Sequence, residues 1–158
     1  MAKRDRIPWD PAASADTNAR ARLPALAAAY LAAGRAAAAK PLLPAALHQF
    51  RLATKQFRYT LELFRPCYGP GLEQRLKRLQ HLQQLLGEIN DYATTQELLD
   101  SLPHKSGAEH QKVGRFLKRS TSRKIEEFRR YWQNTFNPGE QDRWWTAYLA
   151  GTRNRTSH

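Results

Sequence analysis

The sequence predicts an all-α fold, a single antiparallel four-helix bundle, and three observations predict it. Apolar residues recur at spacings of three and four over long stretches and nowhere alternate over a useful length, so helices are expected and strands are not. The first stretch is rich in Ala, the best helix former. The breaks are short and marked by Pro or Gly, and short connections join antiparallel neighbours. A chain of 158 residues suits one domain with its own core, needing no disulfide or metal staple.

Residues 1–15 read as a flexible arm, interrupted by Pro8 and Pro11. The Ala-, Leu- and Arg-rich run 16–39 is the first helix, with Asp16 or Thr17 as N-cap and Pro24 as a candidate for the true helix start. Lys40, Pro41 and Pro44 close it. The second helix runs from about Pro44 to Pro66. The third starts near Pro70 or Gly71 and reaches about Leu102, with Gly87 a candidate bend. Its face of Leu72, Leu76, Leu79, Leu82, Leu86 and Ile89 is core. After a loop at 103–107, the fourth runs from about Ala108 to Phe136. Val113, Leu117, Thr121, Ile125, Phe128 and Trp132 form its buried side; Lys112, Arg115, Arg119, Arg123 and Arg130 form a basic side. Asn137, Pro138 and Gly139 make a turn. A short aromatic segment, Gln141–Leu149, follows, and 151–158 is a basic tail. The helical domain is therefore expected over 16–150, and no internal repeat is visible.

Lys and Arg number 26 against 14 Asp and Glu, a net charge of +12. Such self-repulsion destabilises a compact fold and points to an anionic partner. No apolar stretch is long enough to span a membrane. The opening MAKRDRIPWDP lacks the apolar run of a secretory leader. The lone Cys67 excludes an intramolecular disulfide, and a reducing, cytoplasmic address is expected. Phosphate-loop, dinucleotide-binding, zinc-protease and nucleophile-elbow motifs are all missing. The five His residues include no pair four apart, so neither a metal site nor a cofactor is expected. Cys67, in a turn beside Pro66 with no evident base, does not read as a nucleophile. No catalytic residues are expected, and the chain reads as a binding protein rather than an enzyme.

The second helix carries the informative pattern. His48, Arg51, Lys55, Arg58 and Glu62, spaced three, four, three and four, fall on one stripe. Phe50, Phe57, Leu61 and Phe64 lie on the far side, and Leu52, Tyr59 and Leu63 form a second apolar strip on the stripe's other flank. Gln49, Gln56 and Thr60 make a neutral edge, the side expected to meet bulk water. A cationic stripe between apolar flanks is expected to line a cleft between helices and to hold an anion. On the third helix Lys77, Arg78 and His81 lie together, either as a second wall or facing water. On the fourth, Lys124 projects near the apolar boundary, where it can reach inward, whereas Arg119 and Arg123 belong to the basic face.

The segment LHQFRLATKQFRYTLELF, residues 47–64, resembles the signature helix of the CHAD family, the conserved histidine α-helical domain. The pattern H-x-x-R-x-x-x-[KR]-x-x-R is carried by His48, Arg51, Lys55 and Arg58, followed by Tyr59 and Glu62. A second match, over 76–99, is similar to the family's LQxxLGxxND segment, carried by Leu79, Gln80, Leu85 or Leu86, Gly87, Asn90 and Asp91. The resemblance covers most of 17–136 and is strongest over 47–99. Gln56 departs from it, standing where many members are basic.

The resemblance implies binding of inorganic polyphosphate through a basic channel built from two related bundles. This chain, with one signature helix, resembles the C-terminal half. The implied ligand contacts are His48, Arg51, Lys55 and Arg58, with Lys77, Arg78, His81, Arg119, Arg123 and Lys124 as further candidates. A linear stripe of donors suits an acceptor-only polymer: His48 to Arg58 rises about 15 Å, Arg forks onto phosphate oxygens and Lys supplies a point charge. The leading expectation is a non-catalytic polyphosphate-binding module recruited to polyphosphate or storage granules. A homodimer is expected to complete the channel, its interface covered by Leu52, Tyr59 and Leu63 with Trp144, Trp145 and Tyr148. The alternatives are nonspecific nucleic-acid binding, through the fourth helix with Arg153 and Arg155, and an accessory role in a phosphate-processing enzyme.

Overall fold

A computed structural model of the chain describes residues 9–39, 43–103 and 107–151. Among these, the order is α1 (Ala15–Ala38), α2 (Pro44–Leu63), a 3₁₀ turn (Arg65–Cys67), α3 (Gly71–Ser101), α4 (Ala108–Tyr131), a π-helical turn (Trp132–Phe136) and α5 (Asp142–Ala150). No strand occurs among the described residues.

Helix α1 starts earlier than the sequence suggested. Ser14, not Asp16 or Thr17, is the N-cap, and its hydroxyl accepts the Thr17 N–H at 3.1 Å. Pro24 lies inside the helix rather than at its start; it deprives the Arg20 carbonyl of its usual donor, and the fold accepts this because the flanking Leu23 and Ala27 are buried. Residues 1–8 of the expected arm lie outside the described residues, as do 40–42, His104 and the tail 152–158 with Arg153 and Arg155. Trp9 stacks on Phe64 at 5.9 Å, and the Asn18 amide donates to the Asp10 carbonyl at 2.9 Å.

Neighbouring helices run antiparallel, as the short connections require. Tyr30 of α1 meets Thr54 of α2 at 2.8 Å, while Ala37 and Ala46 share a groove nearer the connection. Between α2 and α3, His48 meets Asn90 and Arg51 lies over Gly87. Between α3 and α4, His110 Nε2 donates to the Leu99 carbonyl at 3.0 Å and Lys124 reaches Glu88 at 2.8 Å. Helix α3 runs unbroken through Gly87, so the expected bend there is absent.

The aromatic segment after the turn is a fifth helix packed along α1. Arg35 Nη1 donates to both carboxylate oxygens of Asp142, at 2.7 and 2.9 Å. Trp145 and Leu149 are fully buried. Trp145, expected at an intermolecular interface, thus belongs to the chain's own core. Trp144 and Tyr148, expected there too, stack on each other at 4.9 Å, and the Arg75 guanidinium lies 3.6 Å from the Trp144 ring centroid.

The core joins these helices through aromatic rings: Tyr30, Phe50, Phe57, Phe128, Trp132, Phe136 and Trp145. The π turn closes it. The Asn137 N–H reaches back to the Trp132 carbonyl at 2.8 Å, and the wider turn lets Trp132 and Phe136 both point inward, stacked at 5.0 Å. Trp132 lies directly on Gly34, where only a residue without a side chain fits.

The α3–α4 pair extends beyond α2. Buried positions in α3 end at Ile89, and those in α4 begin at Leu117. Val113, expected in the core, is exposed for this reason, together with Leu98, Leu102 and Phe116.

Candidate functional site

The stripe of α2 lies along its seam with α3. Register decides this: from Asn90, the α3 face toward α2 continues through Gly87 and Gln83 at spacings of three and four. His48 Nδ1 and Asn90 Oδ1 are 2.7 Å apart. The Arg51 Nε passes 3.8 Å from where a Cβ on Gly87 would stand. His48, Arg51 and Arg58 are half-buried, and Lys55 is exposed. Asn90, Gly87 and Gln83 were not singled out as site residues; the only signal was the second motif, which named Asn90 and Gly87 without their roles.

Among the described residues, the Nε atoms of Arg51 and Arg58 are buried without a hydrogen-bond partner, and so is Oε1 of Gln83. Buried polar groups are normally satisfied, so clustered exceptions call for an explanation. Arg58 makes a 3.3 Å ion pair with Glu62 and sits 4.8 Å from the Tyr59 ring centroid. Lys55 Nζ lies 5.8 Å from the same ring. Three cations and a histidine thus line about 15 Å of helix against one carboxylate on the same helix face. The side chains available are donors, suited to holding an anion by charge-assisted hydrogen bonds.

The flanks differ from expectation. Phe50, Phe57 and Leu61 are buried, but Leu52, Tyr59 and Leu63 are 44%, 48% and 74% exposed. The apolar strip, not the neutral edge alone, thus faces solvent: α1 and α3 cover the two sides of α2 adjoining the core and leave its outer face open. Leu52, Lys55, Gln56, Tyr59, Thr60 and Leu63 line a shallow groove of about 410 Å³ there. The stripe is a half-open seam rather than an enclosed cleft.

The remaining candidates do not gather at the stripe. Arg78 Nη1 donates to the Thr135 carbonyl at 3.4 Å, and the His81 ring lies 4.5 Å from that of Tyr131, so both sit where α3 meets the end of α4. Lys77 is exposed on α3, and Arg119 and Arg123 are exposed on α4. Lys124 does reach inward, but to carboxylates: Glu88 at 2.8 Å and Glu127 at 3.3 Å. These hydrogen bonds, Glu88 first, raise its pKa and hold it charged. Cys67 is half-buried in the 3₁₀ turn. Among the described residues no cluster of His, Cys, Asp and Glu is placed to hold a metal ion, and no helix is long and apolar enough to cross a membrane.

A family model described as the CHAD domain matches residues 2–100, which takes in α1, α2 and nearly all of α3 but none of α4 or α5. No curated protein and no solved structure matches the chain.

Proposed function

This chain belongs to the CHAD domain family, and from that premise we propose that it binds inorganic polyphosphate without catalysis, along the seam of α2 and α3. The family is associated in general with polyphosphate-related proteins. The observation that carries the reading is the stripe of His48, Arg51, Lys55 and Arg58 with its two orphaned guanidinium Nε donors. Polyphosphate offers about one charge per phosphate and only acceptor oxygens. A row of rotatable donors can track it, and no base-stacking platform is needed. Lys77, Arg78, His81, Arg119 and Arg123 lie beyond the stripe and would meet only a longer polymer wrapping the surface.

In this reading the protein acts inside the cell, drawn to polyphosphate granules by the polymer itself. A second copy facing the exposed Leu52, Tyr59 and Leu63 would set two stripes across one polymer and cover the apolar ridge. The α4 face of Lys112, Arg115, Arg119, Arg123 and Arg130 supports the competing nucleic-acid reading, because nonspecific binding needs an exposed basic surface. Competition at fixed salt tests the choice. Unlabelled long-chain polyphosphate is expected to displace labelled polyphosphate far better than duplex DNA does at equal charge. Equal displacement, or displacement unaffected by Arg51→Ala and Arg58→Ala, would favour the basic face of α4 instead.

A further inference from the structure

The contact between His48 and Asn90 decides which ring nitrogen is left for a ligand. An amide oxygen only accepts hydrogen bonds, so the proton in the 2.7 Å contact sits on Nδ1 and is donated to Asn90 Oδ1. A neutral ring held this way leaves Nε2 as a bare lone pair. The oxygens of polyphosphate are lone pairs too, so neutral His48 and the polymer have no hydrogen bond to share. The opposite tautomer would donate from Nε2 without any change of charge. With Nδ1–H fixed, only the imidazolium can donate to phosphate.

We propose that Asn90 is a positioning residue: by accepting the Nδ1 proton it turns Nε2 of His48 toward the ligand, so that capture of phosphate at this end of the stripe takes up a proton. This rests on the polyphosphate reading of the same seam. The surrounding charges make the uptake conditional on ligand. On α2 the nearest are Arg51 and Lys55, which oppose a third positive charge until an anion sits among them. On α3 they are Asp91 and Glu97, while Glu88 is engaged by Lys124. Helix α1 meets α2 on the flank of Tyr30 and Thr54, away from the ring. Imidazole in model peptides titrates near pH 6.5, so the protonation step falls within the range where a cell's pH moves.

The experiment has two parts on the whole chain. Nitrogen-15 spectra of the free protein at about pH 8, with His48 assigned by comparison with His48→Gln, read the tautomer directly. Calorimetry with long-chain polyphosphate from pH 8 to 6, in two buffers of different ionisation enthalpy, reads the protons taken up. The expected results are an Nδ1–H tautomer, buffer-dependent heats, and affinity rising as pH falls, by at most about tenfold per pH unit for one fully coupled proton. Asn90→Leu should lose the Nδ1–H tautomer and flatten the pH dependence. Asn90→Asp, which keeps an acceptor in place, should restore both. His48→Gln should bind with no uptake beyond that of the polymer itself. An Nε2–H tautomer in the free protein, or an unchanged pH profile in Asn90→Leu, would overturn the proposal. Failure of the unaltered protein to bind at any pH would overturn the functional reading instead, whereas binding with a flat pH profile would sink only the role given to Asn90.

Discussion

At the scale of single residues, Gly34 and Tyr30 hold the meeting of α1, α2 and the π turn. A Cβ on Gly34 would collide with the Trp132 ring. Gly→Ala in a helix interior ordinarily gains up to about 1 kcal/mol, but overpacking a filled core costs about 1–3 kcal/mol. The ring has no free side to move to, because it also packs on Tyr30, Phe50 and Phe136. Gly34→Ala should therefore lower the denaturant midpoint, and an unchanged or raised midpoint would show that Trp132 repacks without strain. The Tyr30 hydroxyl is buried on Thr54, whose own proton goes to the Phe50 carbonyl at 2.8 Å, so Tyr30 is the donor in the pair. Burial raises its pKa above the usual tyrosine value. The unfolded chain ionises near pH 10 while the folded one keeps its proton, so stability present below pH 10 is lost as pH rises beyond it. Tyr30→Phe should cost about 0.5–1.5 kcal/mol at neutral pH and weaken the alkaline loss of stability. Urea midpoints between pH 8 and 11 would check both, and an alkaline slope equal to that of the unaltered protein would place its source in the other tyrosines.

At the scale of elements, α2 and α5 carry different burdens. Helix α2 lends one side to the core and its stripe to the seam. Truncating Arg51 or Arg58 to Ala should weaken polyphosphate binding by about 1–3 kcal/mol each, the usual range for hydrogen bonds to charged groups. Helical circular dichroism should not change, since the Nε atoms of both have no partner to lose. Normal binding by both variants would mark the stripe as an ordinary solvated face. Helix α5 is short, nine residues, and a helix of that length is marginal by itself. It is held by Trp145 in the core, by the Arg35–Asp142 pair and by the Tyr68 hydroxyl donating to the Leu149 carbonyl at 2.9 Å. Trp145→Ala should cost about 3–5 kcal/mol. Trp145→Phe should cost less, because the buried indole N–H has no hydrogen-bond partner to lose. Equal costs for the two substitutions in chemical denaturation would mean that Nε1 is satisfied in solution.

At the scale of the whole molecule, the net charge of +12 and the open outer face of α2 act together. Binding to polyphosphate should weaken steeply between about 50 and 200 mM salt as counterions compete, and a flat response in titrations across that range would contradict an electrostatic seam. Two bare stripes repel, so association through Leu52, Tyr59 and Leu63 should grow as polyphosphate neutralises them. Light scattering should show a dimer fraction rising with polymer, and Leu63→Glu should suppress it while leaving the free protein folded. A monomer binding one polymer under all conditions would show that the half-open seam is sufficient.

The sequence by itself determined the helices, the stripe and the family, because each is written in local spacing. The Leu72-to-Ile89 face, the three-and-four rhythm of His48 to Arg58 and the LGxxND segment need no knowledge of what lies opposite. Tertiary structure decided everything that depends on register between helices. The offset of α2 against α3 set His48 on Asn90 and Arg51 on Gly87, and left Val113 beyond the core. The same packing sent Lys124 to Glu88 rather than to the stripe, and drew Trp145 inside when composition alone made it look surplus. A periodic pattern states which residues share a face of one helix. Which face another helix covers depends on how far that helix reaches and where its bulky residues fall, and those quantities exist only once the helices have met.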